Sequence, residues 1–244
     1  MNSRLKLQYG YLLNRVSIGF LTAVLLIDSL GILYASGCFE SAGEVDIDRI
    51  GHMAAYLAEA LSITKFLMVT TAIFLGIQGY HSPFNRYHIF FLQGGFGKRK
   101  LALTKITAIV LLETVLYLHA VLMIHLVGWY LTPFFRFDLA NLVIMASILV
   151  QIILFGLMEA LVMQLCDSIF SGFIPLFYFW IMEANADYES IRTAGWLRLM
   201  NYLIPNPILT EKGFILYYDG FHYLIILILI IVANVLVFIS KDLK

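Results

Sequence analysis

The sequence predicts an all-α polytopic membrane protein with six transmembrane helices, and three observations predict it. The first is composition. Of 244 residues, 61% are hydrophobic and only 13% are charged, with a mean hydropathy of +0.87. A soluble domain carries about 25% charged residues. The second is the length of the apolar runs. "VSIGFLTAVLLIDSLGILYAS" (16–36) and "FHYLIILILIIVANVLVFIS" (221–240) each reach the roughly 20 residues that a bilayer-spanning helix needs. The third is where the cations fall. Arg4, Lys6, Arg15, Arg86, Lys98, Arg99, Lys100, Lys105, Lys241 and Lys244, ten of the 16 Lys and Arg residues, lie on one side of the membrane once six spans are drawn. Cytoplasmic segments carry the excess of Lys and Arg, so both termini are expected in the cytoplasm.

The expected spans are 16–36, 58–80, 102–128, 139–165, 169–184 and 221–240, within a single domain, 1–244. Helix is the expected state because a backbone facing lipid must satisfy its own hydrogen bonds. The fifth span is short and contains Pro175. Before the first span, Leu5, Tyr9, Leu12 and Val16 recur at helical spacing while Arg4, Lys6, Gln8 and Arg15 project elsewhere. This predicts an amphipathic N-terminal helix lying in the lipid interface, its cations among anionic head groups. An acidic loop is expected over 37–57. Trp129, Tyr130, Phe134 and Phe135 suit an interfacial aromatic belt. Asp167 or Ser168 is placed to cap the fifth helix. The last connection, 185–220, holds apolar pieces broken by Pro205, Pro207 and Gly213. These are too short to span and too apolar for a free loop, which predicts re-entrant or interfacial helices. The two cysteines, Cys38 and Cys166, fall on opposite sides and do not form a disulfide framework.

The stretch "FFLQGGFGKRKLALTKI" (90–106) breaks the apolar pattern. It is not a phosphate-binding loop, which needs G-x-x-x-x-G-K-[ST]. Leu92 stands where the first glycine belongs, and Arg99 where the hydroxyl belongs. The reading is mechanical instead. Pro83 suits a first helical turn, Tyr87, Phe90, Phe91 and Leu92 give an apolar face, and Gly94 and Gly95 end the helix. Gly97 then turns the chain, and Lys98, Arg99 and Lys100 begin the third span at the basic surface. A short helix across the inner surface, between spans two and three, is expected.

Six spans with both ends inside, an amphipathic N-terminal helix, an apolar final outer connection and a first inner loop ending in "GFGKRKLALTK" resemble the ABC-2 type permeases, the membrane subunits of bacterial ATP-driven exporters. Many members carry a Ser-Arg pair where this chain has Gly97-Lys98, so the likeness rests on architecture more than on that motif. The resemblance implies that the 83–99 helix is a coupling helix docking on a separate ATPase subunit, with Tyr87, Phe90, Phe91, Gly97, Lys98 and Arg99 forming the coupling site. It implies no cofactor in this chain, ATP and magnesium on two partner ATPase subunits, and a second permease chain, the same or a sister. Peptides, bacteriocins, drugs or other amphipathic molecules would be the cargo, and nucleic acid would not be a partner. The chain would not be an enzyme by itself.

An ionisable side chain inside a span is costly and marks function by default. Asp28, Glu59, Lys65, Glu113 and Glu159 qualify as residues of a substrate path or gate. Asp28 stands out because the family places spans one, two and five at the seam between permeases. The competing reading is structural: these groups pair with one another, or with Gln151 or Asn234, and lock the bundle. His119 and His125 are six residues apart on span three and share no face, which disfavours a metal site. Two other functions compete. A lipid-modifying membrane enzyme would need a catalytic cluster at one face, where Asp48, His52 and Glu59 form the only outer group and match no motif. A membrane sensor or immunity protein would bind through its outer loops.

Overall fold

In the computed structural model, the described residues are 8–10, 12–37, 53–81, 97–132, 135–136, 139–186, 194–210, 213–215 and 221–240. Among these described residues, five helices are long and apolar enough to cross a membrane. They are α1 (Arg15–Ala35), α2 (Met53–Tyr80), α3 (Lys98–Leu131), α4 (Leu139–Cys166) and, last in the chain, α7 (Phe221–Ser240). Between α4 and α7 lie a 3-10 turn (Ile169–Gly172), α5 (Phe173–Ala184) and α6 (Gly195–Leu203). A short antiparallel pair follows α6: β1 (Ile208–Thr210) and β2 (Gly213–Ile215), with Ile208 opposite Ile215.

Two expectations change. The fifth apolar segment, Ile169–Ala184, is 16 residues and shorter than the five membrane-length helices. Serine 168 caps its start, accepting from the Phe170 N–H at 3.3 Å, and Pro175 sits within the first turn of α5, where its missing N–H costs nothing. Among its described residues the 185–220 connection forms one helix, α6, and a β-pair, where helices alone were expected. Pro205 and Pro207 explain the switch: neither can donate to a helix, and both push their preceding residues into extended conformations.

α2 and α4 form the centre. In the most apolar stretch of each, 61% of residues are buried, against 28% for α1 and 22% for α7. α1 and α7 turn wide apolar faces outward, including Leu26, Ile27 and Leu30 on α1 and Ile228, Leu229 and Leu236 on α7. Lipid tails are as apolar as these side chains, so helix association must come from close packing and polar contacts. Glycines supply the first. A Cβ on Gly76 of α2 would lie 2.8 Å from the Gly156 carbonyl oxygen of α4, so the two central helices meet at a distance that only glycine permits. α1 meets α2 similarly, Gly31 facing Ile63, with 2.7 Å from an added Cβ to Ile63 Cγ2.

Polar contacts sort the helix ends. Ser17 Oγ donates to Gln78 Oε1 at 2.6 Å. Lys105 Nζ donates to the Gly79 carbonyl at 2.6 Å, and Lys98 Nζ to the Ile239 carbonyl at 3.3 Å. His81 lies 3.6 Å from Asp167. The start of α1, the end of α2, the start of α3, the end of α4 and the end of α7 therefore share one end of the bundle. Arg15, Lys98, Arg99 and Lys100 gather there, while Arg136 and Arg198 belong to the other end. At that other end Tyr56 Oη donates to the Ile124 carbonyl at 2.6 Å.

Candidate functional site

Five ionisable side chains named from the sequence lie in the apolar helices, and their environments differ. Lys65, near the middle of α2, is 2% exposed and well partnered. Its Nζ is 2.8 Å from Glu183 Oε1, at the end of α5, and donates to Asn206 Oδ1 at 3.3 Å. Gln151 of α4 donates to the same oxygen at 3.2 Å, and Asn206 Nδ2 donates back to the Met182 carbonyl at 3.4 Å. A charged amine inside a bundle is tolerable when paired and hydrogen-bonded, and this one is tied to α4, α5 and segment 204–208.

Asp28 is fully buried on the inner stripe of α1, which also presents Ser17, Leu21, Val24 and Ile32. Thr64 Oγ1 of α2 donates to its Oδ1 at 2.8 Å. Among the described residues its Oδ2 has no hydrogen-bond partner. His119 on α3 is within electrostatic reach of the carboxylate. The Asp28–Thr64 bond is one turn from the Gly31–Ile63 close approach, so α1 is held to α2 by a contact and a hydrogen bond side by side.

Glu113 and Glu159 flank the Gly76–Gly156 crossing. Glu159 is fully buried, and Ser171 Oγ of the 3-10 turn donates to its Oε1 at 2.5 Å. A Cβ on Gly76 would lie 3.0 Å from the Glu159 Cβ. Glu113 is 2% exposed, and neither of its oxygens has a hydrogen-bond partner among the described residues. Its Oε1 occupies the space that a Cβ on Gly156 would need. Glu59, the fifth, is half-buried in the second turn of α2.

The structural reading of these charges thus holds for Lys65 with Gln151, Asn206 and Glu183, and partly for Asp28 and Glu159. For Glu113 no such partner is present among the described residues. Asn234 pairs elsewhere than expected: it accepts from Gln164 at 2.7 Å and donates to the Leu157 carbonyl at 3.0 Å, clamping α7 to α4. His125 Nδ1 is 2.8 Å from the Val121 carbonyl of its own helix. Ser147 bonds back to the Val143 carbonyl of its own helix at 2.9 Å. Among the described residues no three His, Cys, Asp or Glu side chains converge as metal ligands would.

At the basic end, Gly97 is the extended N-cap of α3 (φ −63°, ψ 138°), and Lys98 and Arg99 are the first residues of the helix. They therefore belong to α3 and not to an 83–99 helix. Tyr87, Phe90 and Phe91, with Pro83, Gly94 and Gly95, lie outside the described residues. Three successive cations at a helix N-terminus oppose the helix dipole, at about 0.3–1 kcal/mol each. Lys105, about two turns into α3, is 2% exposed. It is held by the Gly79 carbonyl and by the rings of Tyr80 and Phe238, 4.6 and 5.6 Å away.

Several participants escape a reading of the sequence. Glu183 reads as a loop-edge acid and Ser171 as a turn residue. Asn206 had one available signal, its place between two prolines. Gly76 and Gly156 had another, since a glycine inside a span marks a close helix approach. No protein-family model, curated protein or solved structure matches this chain.

Proposed function

We propose that this chain is the permease subunit of an ATP-driven ABC exporter that moves a peptide, bacteriocin, drug or other amphipathic molecule out of the cytoplasm. The observation that carries the proposal is the basic end of the bundle. There Arg15, Lys98, Arg99 and Lys100 lie at the same end of the bundle as the ends of α2, α4 and α7, Lys98 bonding to Ile239, and the chain between α2 and α3 contains the aromatic stretch "NRYHIFFLQGGFGKR". A membrane machine without its own nucleotide site needs such a handle at its cytoplasmic face.

In this reading Ile169–Ala184 is a sixth, short span, the N-terminal segment is an interface helix, and both termini are cytoplasmic. Two ATPase subunits, carrying ATP and magnesium, dock on the segment that includes Tyr87, Phe90, Phe91, Gly97, Lys98 and Arg99. A second permease chain completes the substrate path in the lipid bilayer. ATP-driven closure of the ATPases pushes the handle, and the start of α3 passes that push to α2 through Lys105 and Gly79. Buried aromatics dominate interface energies, at about 2 kcal/mol or more each on truncation. The double variant F90A/F91A should therefore lose its ATPase partner in a pull-down from solubilised membranes, while inserting normally. A double variant that keeps both the partner and full ATPase stimulation would refute the proposal.

A further inference from the structure

Segment 204–208, "IPNPI", is the least ordinary piece of backbone in the bundle. Residues 204–207 have no helix or strand, yet all five residues are buried. Ile204 and Asn206 are 3% exposed and Ile208 is 4% exposed. Irregular backbone is tolerated among membrane helices only where protein covers it. The two prolines make that burial cheaper, because each removes a backbone donor that would need a partner.

We propose that segment 204–208 is a plug that enters the bundle from the end opposite the basic one and closes it, and that Lys65 and Asn206 are its latch. This rests on the permease reading for its purpose, though not for its geometry. The latch joins elements that must separate for a path to open. Lys65 stands on α2, Gln151 on α4 and Glu183 on α5, and Asn206 joins them from the plug itself. β1, which continues the plug, packs along α2. The three bonds of the Asn206 amide are 3.2, 3.3 and 3.4 Å long, beyond the usual 2.9–3.0 Å optimum. Bonds of that kind exchange readily for bonds to water, whereas apolar packing does not. Polar ties therefore suit a closure that releases when α2 and α5 move apart.

The test measures water access and needs no substrate. Val69 is fully buried on α2, one turn further in than Lys65 and on the same face. Val69→Cys is introduced on a background with Cys38 and Cys166 replaced by serine, and the chain is placed in lipid nanodiscs. The probe is the anionic thiol reagent 2-sulfonatoethyl methanethiosulfonate, which reacts only where water reaches the thiol. The latched protein should be unreactive at position 69. Lys65→Met and Asn206→Ala should each raise the reaction rate at least tenfold. A second reporter, Ala102→Cys, fully buried near the basic end, should stay unreactive in the same variants. Unchanged rates at position 69 overturn the plug, and so does equal acceleration at both positions, which would mean general loosening. No ATPase enters this readout, so its failure leaves the permease reading standing. Loss of that reading in the pull-down likewise leaves the plug.

Discussion

Lys65 and Glu113 are equally buried, at 2% exposure each, in neighbouring helices of one apolar bundle, and they are treated in opposite ways. Lys65 has a carboxylate at 2.8 Å and an amide oxygen at 3.3 Å. Glu113 has neither oxygen hydrogen-bonded among the described residues and lies against a glycine. Both cost free energy to place in an apolar interior. Only the first recovers part of that cost through its partners. The difference separates two uses of a charged residue: one fastens elements together, and the other is retained in spite of stability.

The Gly76–Gly156 crossing breaks this comparison most severely. A methyl on Gly156 would collide with the Glu113 carboxylate, and an overpacked core site costs about 1–3 kcal/mol. Gly156→Ala should lower stability in detergent unfolding by about that amount. Combining it with Glu113→Ala removes the obstructing carboxylate, so the double variant should be more stable than Gly156→Ala alone. Additive losses in the two variants would show that Glu113 does not occupy the crossing.

Exchanging each charge for methionine, which is unbranched and fits irregular spaces, sharpens the contrast. Lys65→Met strands Glu183 and Asn206 and should cost about 1–3 kcal/mol. Glu113→Met strands nothing and should leave stability unchanged within about 0.5 kcal/mol or raise it. Calorimetry in the same lipid for both variants reads the difference directly. Equal losses would erase the distinction.

Legibility from the sequence follows the same division. The apolar runs fixed the five long helices closely: expected bounds of 139–165 and 221–240 stand beside Leu139–Cys166 and Phe221–Ser240. Length and hydropathy are local properties, so they survive folding intact. The third span extends further than expected, from Lys98 to Leu131, because a helix continues past the hydrocarbon edge while its residues stay good helix formers. Lys65 and Gln151 were legible as interior polar groups, but Asn206 was not their visible partner. It is 141 residues from Lys65 in the chain, and no periodicity encodes a contact that loop 185–220 creates. The β-pair was hidden for a related reason. Its three-residue strands are too short for an alternating pattern to register.

Asp28 lies between the two cases and carries the smallest expected change in stability. One carboxylate oxygen is bonded to Thr64 at 2.8 Å, and the other has no hydrogen-bond partner among the described residues. Asp28→Asn keeps an oxygen for the Thr64 hydroxyl and nearly the same volume. It replaces only the charge and the second oxygen. If the charge serves solely to hold α1 on α2, its loss should appear as reduced thermal stability, as for Lys65. The half-bonded geometry argues otherwise, because the bond that joins α1 to α2 survives the substitution. We expect Asp28→Asn to unfold within about 0.5 kcal/mol of the parent chain, since surviving hydrogen bonds of this kind contribute about 1 kcal/mol each. If the permease proposal holds, ATPase capture should be unchanged, while export measured in cells falls. A marked drop in thermal stability with export intact per folded molecule would make Asp28 a fastening residue like Lys65 and remove it from the substrate path.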